Sequence, residues 1–245
     1  MGFGNVNFHL SKVLNQAESI AVKQVYNRNQ ISLPDHLAAV PFTTELSELI
    51  EADVYLIGIP DDAIAAFSEK LPFQNRLVVH TSGGVGIDKL ADKNRKGIFY
   101  PLQTFSKQRP VDFKTIPICV EAENTEGLVL LKKLGECISE KVVEISSEER
   151  AKLHLAAVFV NNFTNHLYQI GHNILEENKL SFDLLKPLIQ ETANKIESLS
   201  PTQAQTGPAK RNDLKTIEKH LHLLEGSPVN KEFYELFTKA LRKEG

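Results

Sequence analysis

The sequence predicts an α/β chain: a Rossmann-like doubly wound parallel sheet over residues 1–146, its first strand truncated, followed by an all-α helical domain over 147–245. Three observations predict it. A Gly-x-Gly turn opens the chain at Gly2-Phe3-Gly4, strand and helix signals then alternate, and after Ser146 the strand signals stop. Short apolar runs alternating with amphipathic stretches are the pattern of a parallel sheet covered by helices.

The elements follow in order. Asn5 to Asn15 reads as a helix with Val6, Leu10, Val13 and Leu14 on one face. Ser19 to Tyr26 reads as a strand ending in Asn27-Arg28-Asn29, and Thr43-Thr44-Glu45 opens a short helix to Ile50 with a threonine as N-cap. Val54 to Ile59 is a continuous apolar run, as a strand buried on both faces requires. Pro60-Asp61-Asp62 starts a helix to Lys70, with carboxylates at its positive end. Leu77 to His80 is a buried strand stopped by Thr81-Ser82-Gly83-Gly84. Strands follow at Gly97 to Tyr100, Pro117 to Glu121 and Lys141 to Ile145, with a helix from Thr125 to Cys137.

In the second part Ser146-Ser147-Glu148-Glu149 is a helix-start signature for a helix running to Asn178. Helices at Ser181 to Leu199, Lys210 to Leu224 and Asn230 to Lys243 are separated by Ser-Pro and Gly-Pro punctuation, and Pro187 is expected to kink or shorten the first of them. Leu153 to Leu175 contains no Asp, Glu, Lys or Arg. It carries four Asn, three His and a Gln, too many polar groups for a bilayer helix, and reads as a helix buried in protein.

Composition narrows the partners. A net charge of −3 from 28 basic and 31 acidic residues gives no electrostatic footprint for nucleic acid or an anionic membrane. Cys119 and Cys137 have no metal-type spacing, so neither a zinc site nor a disulfide framework is expected. No basic-then-apolar leader opens the chain, and a cytoplasmic location is expected.

The glycine turn carries the cofactor chemistry. Gly2 allows a sharp turn and Gly4, lacking Cβ, lets a pyrophosphate reach the amides of the following helix. Gly2, Phe3, Gly4 and Asn5 are therefore candidate cofactor residues, joined by Asn27 and Arg28 at the next strand end and by Pro60, Asp61 and His80 at later ones. An acidic residue at Arg28 would favour the 2′-hydroxyl of NAD. The guanidinium instead offers charge-assisted donors to a 2′-phosphate, which points to NADP over NAD. Two departures stand out: Asn7 occupies the third position of the fingerprint, where Gly or Ala is usual, and only Met1 precedes Gly2. A truncated N-terminus is expected, with stability and cofactor affinity lowered together.

Five separated motifs carry a resemblance. Gly4-Asn5-Val6 with His9, His80-Thr81-Ser82-Gly83, Phe99-Tyr100-Pro101-Leu102-Gln103-Thr104-Phe105-Ser106, His154-Leu155-Ala156-Ala157-Val158-Phe159 with Asn162-Phe163, and Thr206-Gly207-Pro208-Ala209 with Arg211 and Asp213 are similar to one uncharacterised family. Its members join a Rossmann-like domain to a helical domain of unknown function and are provisionally labelled NADP-dependent oxidoreductases. More distantly the chain resembles pyrroline-5-carboxylate reductase, prephenate dehydrogenase and the 6-phosphogluconate dehydrogenase group. The resemblance implies a helical domain that closes over the nicotinamide and forms a homodimer.

The second ligand is sought on the uncharged helix. At 100° per residue Leu153, Ala156, Val160, Phe163, Leu167, Ile170 and Ile174 form an apolar stripe. His154, Asn161, Asn165, Tyr168 and His172 form a polar stripe opposite, which reads as facing a cleft, a partner subunit or a buried network. A reductase needs a proton donor beside the carbon that receives hydride, and His154 and Tyr100 are the candidates. Asn162, singled out by the resemblance, joins them as a catalytic candidate, and Asn161 and Asn165 are placed to orient a carbonyl or imine. Thr81, Ser82 and Gly83 lie at the carboxyl end of a strand, where ligands of open α/β sheets bind, and are expected to hold a substrate carboxylate. Gln103, Thr206 and Arg211 complete the substrate candidates.

The expected function is an NADP(H)-dependent oxidoreductase that moves a hydride to or from a small carbonyl, imine or hydroxy acid in a cleft between the domains. The rival is a non-catalytic protein of the same fold that binds a nucleotide or metabolite. The absence of an obvious catalytic lysine, such as some relatives place on the first long helix, favours that rival.

Overall fold

The computed structural model describes residues 1–243 of the chain. It forms two compact units, Met1–Asn161 and Asn162–Gly245. The first contains α1 (Asn5–Gln16), β1 (Val25–Tyr26), β2 (Phe42–Thr43), β3 (Val54–Ile57), α2 (Ile64–Glu69), β4 (Leu77–His80), β5 (Arg95–Pro101), β6 (Ile118–Ala122), α3 (Thr125–Glu136), β7 (Val142–Glu144) and α4 (Ser147–Ala157). The main sheet has the order β3-β4-β5-β6-β7. Its pairs are parallel except β5 with β6, so the sheet is the expected parallel-dominated one with a single antiparallel pair. The chain crosses from β5 to β6 through a long loop with no α-helix in it, and such a loop can return the strand antiparallel. β1 and β2 form a separate parallel ribbon.

Met1 and Gly2 lie between the two sheets. The Met1 nitrogen donates to the Leu56 carbonyl at 2.5 Å, the Met1 carbonyl accepts from Gly58 N at 2.8 Å, and Gly2 N donates to the Tyr26 carbonyl at 2.9 Å. One residue of extended backbone therefore joins the edge of β3 to the edge of β1, the position of the first strand in a doubly wound sheet. Beside it an apolar cavity of about 160 Å³ runs along the same seam, lined by Leu10, Leu14, Val22, Val54 and Leu56. This geometry explains two differences from expectation. The strand expected from Ser19 shrinks to Val25–Tyr26, the stretch flanked by β2 on one side and Gly2 on the other. Thr43 is not a helix N-cap but pairs in β2, its hydroxyl bonded to the Glu48 carboxylate, and only a 3-10 turn, Leu46–Glu48, follows.

The core of this unit fills both sheet faces. Leu10, Leu14, Leu77, Val79, Phe99, Val120 and Leu131 form one cluster, and Tyr55, Ile57, Ile64, Val78 and Leu90 another. A Cβ at Gly97, in mid-strand, would lie 2.9 Å from Leu131 and Val79, so glycine there lets α3 sit close on the sheet.

The second unit is helical: α5 (Thr164–Glu177), α6 (Lys186–Ser198), α7 (Pro201–Ala204), α8 (Leu214–Leu223) and α9 (Pro228–Lys243). Pro187 sits in the first turn of α6, where its missing N–H costs nothing, and shortens the helix rather than kinking it. Asp213 caps α8 by accepting from Thr216 N at 3.1 Å. The single helix expected from Ser147 to Asn178 is interrupted by a π-helical stretch, Val158–Phe163. Its i→i+5 turns are wider than α turns, so a stripe counted at 100° per residue does not hold through it. Within one chain this helix is buried only in part. Leu153 packs against the Ile98, Tyr100 and Cys119 cluster, but Val160, Phe163, Leu167 and Ile174 are exposed. Among the described residues no helix is long and apolar enough to cross a membrane.

Candidate functional site

The glycine turn is built for close approach. Gly2 has φ +77°, and a Cβ there would lie 2.5 Å from Ile59 and 2.6 Å from the Gly58 carbonyl. Gly4 is the N-cap of α1 and is open, with nothing nearer its Cβ position than the Gly58 carbonyl at 3.8 Å. The helix has no side-chain cap and no acidic residue in its first turn, which leaves the positive end of its dipole to an incoming anion. Asn7, a departure from the fingerprint, is accommodated from across the turn. Its side chain donates to the Met1 carbonyl at 3.0 Å and the Gly2 carbonyl at 2.8 Å. A Cβ on Gly58 would fall 2.5 Å from it, so the space normally cleared on the helix is cleared on β3's end.

A cleft of about 640 Å³ gathers Gly2, Phe3, Gly4, Asn27, Arg28 and Pro60. Two charged residues that sequence reasoning did not single out, Asp62 and Lys70, line it as well. Asn5 turns to the loop after β5, donating to the Phe105 carbonyl at 3.0 Å, and the His9 ring meets the Ser106 carbonyl at 2.9 Å. The next residue of that loop, Lys107, donates to the Phe3 carbonyl at 3.2 Å and lies over the Phe3 and Phe8 rings.

A second group of candidates meets at the carboxyl end of β4. The Tyr100 hydroxyl and His154 Nδ1 are 3.2 Å apart, with the rings edge to face. Both press on the turn after β4. A Cβ on Gly83 would lie 2.5 Å from His154 Nδ1 and 2.8 Å from Tyr100 Cζ, and one on Gly84 would lie 3.6 Å from Asp61 Oδ2 and 3.8 Å from His154 Cδ2. Phenol, imidazole and carboxylate therefore surround one two-glycine turn. Tyr100 is buried, and desolvation pushes its phenol above the ordinary tyrosine range.

Behind the turn lies a polar network. His80 is fully buried, its Nδ1 accepts from Ser82 N at 3.2 Å, and burial, with the Arg150 charge second, lowers its pKa to about 4. Arg150 is 0 % exposed; it donates to Glu121 at 2.7 Å, to Ser147 Oγ at 3.2 Å and to the Val85 carbonyl. Ser147 in turn donates to Glu121 at 2.6 Å and accepts from Ile87 N at 3.0 Å. The network ties the first turn of α4 to β6 and to the loop after β4, one helical turn before His154. The Ser146 capping box marks where this helix begins, but nothing local in the sequence pairs Arg150 with Glu121.

The other candidates are dispersed. Thr81 and Ser82 are buried and bonded inward: Thr81 N reaches the Ile57 carbonyl at 3.1 Å, and Ser82 Oγ accepts from Gly84 N and Val85 N at 3.1 Å each. Gln103 is exposed and accepts from Thr104 N at 2.8 Å. Asn161 and Asn162 lie in the π-helical stretch and Asn165 on the exposed side of α5. In the helical unit Thr206 lines an apolar cavity of about 260 Å³ with Leu167, Ile170, Phe233 and Phe237, and Arg211 is exposed on the turn before α8.

Comparison with known proteins places this geometry. Residues 116–241 match the family described as a domain of unknown function, DUF2520. A crystal structure from Bacteroides fragilis, of a protein provisionally named an NADP oxidoreductase, is 38% identical; the match covers 99% of this chain and 96% of that one with a TM-score of 0.91. A Thermotoga maritima protein is similar in fold at 23% identity, over 96% and 95% of the two chains, with a TM-score of 0.81. Plasmodium falciparum pyrroline carboxylate reductase, solved with NADP bound, shares the fold at 13% identity, over 100% and 98% of the chains, with a TM-score of 0.59. No curated protein matches the sequence.

Proposed function

This chain belongs to the DUF2520 family, and we propose that it is an NAD(P)-dependent oxidoreductase, with NADP preferred, acting in the cytoplasm on a small carbonyl, imine or hydroxy acid. The observation that carries the reading is the cleft in which the Gly2-Phe3-Gly4 turn, the uncapped end of α1 and Arg28 come together. The name of the Bacteroides fragilis relative and the NADP held by the Plasmodium falciparum structure support it.

These residues fit a dinucleotide. The first-turn amides of α1 would receive the pyrophosphate, at a glycine whose missing Cβ leaves the approach open. Arg28 and Lys70 would flank the adenosine 2′-phosphate. When bound, the nicotinamide supplies or accepts the hydride. Tyr100 and His154 hold the proton that balances it at the hydrogen-bonded Oη–Nδ1 pair, and Gly83 keeps both against the turn. On this reading residues 1–146 bind the cofactor, and residues 147–245 contribute to substrate binding and assemble a homodimer. The exposed Leu184, Leu188, Leu223 and Leu236 of the helical unit support the second role.

Thermal shift and calorimetric titration with NADPH and NADH test the reading. NADPH is expected to bind more tightly, and Arg28→Glu to weaken NADPH by roughly tenfold or more while leaving NADH nearly unchanged, as loss of a charge-assisted phosphate contact requires. Binding of neither nucleotide would sink it.

A further inference from the structure

The constellation at the β4 turn also bears on what the substrate is. Asp61 Oδ2 lies 3.6 Å from the Cβ position of Gly84, and His154 Cδ2 lies 3.8 Å from the same point. Asp61 is exposed, and among the described residues its carboxylate has no hydrogen bond or ion pair. The guanidinium and most of the amides of the neighbourhood are engaged elsewhere. Arg150 is fully buried and bonded to Glu121, Ser147 and the Val85 carbonyl. The Gly84 and Val85 amides are taken by Ser82 Oγ, and Thr81 is bonded to Ile57. A ligand arriving at this turn therefore meets a free carboxylate, an imidazole and a phenol, and the guanidinium behind them is already neutralised by Glu121. Such a surface attracts a cation and repels a carboxylate.

We infer that the group presented to Tyr100 and His154 is a basic nitrogen held by Asp61, so that the reacting couple is an iminium and its amine rather than a keto acid and its hydroxy acid. The inference rests on the oxidoreductase reading above for the redox step, and on the geometry of the turn for the charge of the ligand. It moves Asp61 from the cofactor, where its place after β3 had put it, to the substrate. The step balances with the nicotinamide as reductant. A hydride from its reduced ring forms the new C–H bond at the iminium carbon, the C=N π pair becomes the nitrogen lone pair, and the iminium N–H stays on the amine. The oxidised nicotinamide is the second product. The amine then takes a proton from the His154–Tyr100 pair and leaves as the ammonium; in the reverse direction the ammonium first returns that proton, which frees the lone pair that expels hydride.

The test follows the His154 ring signal, assigned with a His154→Asn variant, by NMR on the whole protein with histidine labelled and NADP⁺ present. Two probes are titrated: pyrrolidine, a cation at neutral pH, and cyclopentanecarboxylate. Pyrrolidinium is expected to shift the signal saturably and cyclopentanecarboxylate not to. Asp61→Asn is expected to weaken pyrrolidinium at least fivefold while the NADPH Kd stays within twofold. A shift by the carboxylate instead, no shift by either probe, or an Asp61→Asn variant that binds pyrrolidinium unchanged would overturn the inference. So would a variant that loses NADPH rather than pyrrolidinium, because Asp61 would then be a cofactor contact. Failure of NADP⁺ to bind while pyrrolidinium still titrates would fault the oxidoreductase reading and leave the charge assignment standing.

Discussion

The two units handle their apolar side chains in opposite ways. In residues 1–161 the sheet buries Leu77, Val79, Ile98, Phe99, Val120 and Leu131 almost completely. In the helical unit only Ala209 and Ile217 are buried among the described hydrophobic residues, while Leu184 is 68 % exposed, Leu188 62 % and Leu223 80 %. A sheet sandwiched by helices closes a core within one chain. Thin helical layers leave each helix an uncovered face, and small units of this kind are marginal unless something covers it. The contrast shows where burial is concentrated: the first unit holds both the glycine cleft and the Tyr100–His154 pair on a closed core.

The strongest way to break the comparison is to cut the first unit's buried network. Arg150→Ala leaves Glu121 without its guanidinium, and about 3–5 kcal/mol of unfolding free energy should be lost in urea titrations. A loss below about 1 kcal/mol would mean that this unit is less tightly bound together than its burial implies.

The next effect is a pH dependence. His80 has its folded pKa lowered to about 4 from an ordinary 6.5. Between those values the unfolded chain takes up a proton that the folded chain refuses, so stability falls as pH drops from 6.5 to 4 and is fully present above 6.5. The contribution of this one group is about 3 kcal/mol. His80→Gln should flatten that stretch of the stability–pH curve, as followed by denaturant midpoints; an unchanged slope would place the titration elsewhere.

The smallest expected effect sharpens the other side of the comparison. Leu188→Gln with Leu236→Gln should change the unfolding free energy by no more than about 0.5 kcal/mol per site, because both side chains are already exposed. The same pair should lower the sedimenting mass if these faces join two copies. A large loss of stability without a change in mass would show that they are covered within one chain.

Local signals foretold much of this. Apolar runs located β3 and β4, Ser146 located the start of α4, and the glycine turn located the N-terminus of α1, because each depends on residues close together in the chain. The antiparallel β6, the π-helical stretch and the Arg150–Glu121 pair could not be read this way. Pairing direction depends on what the loop after β5 packs against. A π turn depends on how two helical segments must be phased, and the partner of a buried charge lies 29 residues away. The site divides along the same line. Tyr100 and His154 were each candidates by type, but their hydrogen bond across 54 residues, and Asp61 at the same turn, exist only once β3, β4, β5 and α4 converge.

From sequence alone came the fold class, the anion-ready turn at Gly2-Phe3-Gly4 and the residue types able to move a proton, since these rest on backbone freedom, periodicity and side-chain chemistry. Folding settled how they combine. It set Asn7 against Gly58, turned Thr81 and Ser82 inward, and left Asp61 outward beside His154. Burial and hydrogen-bond satisfaction are properties of packed neighbours, and no single stretch of sequence contains them.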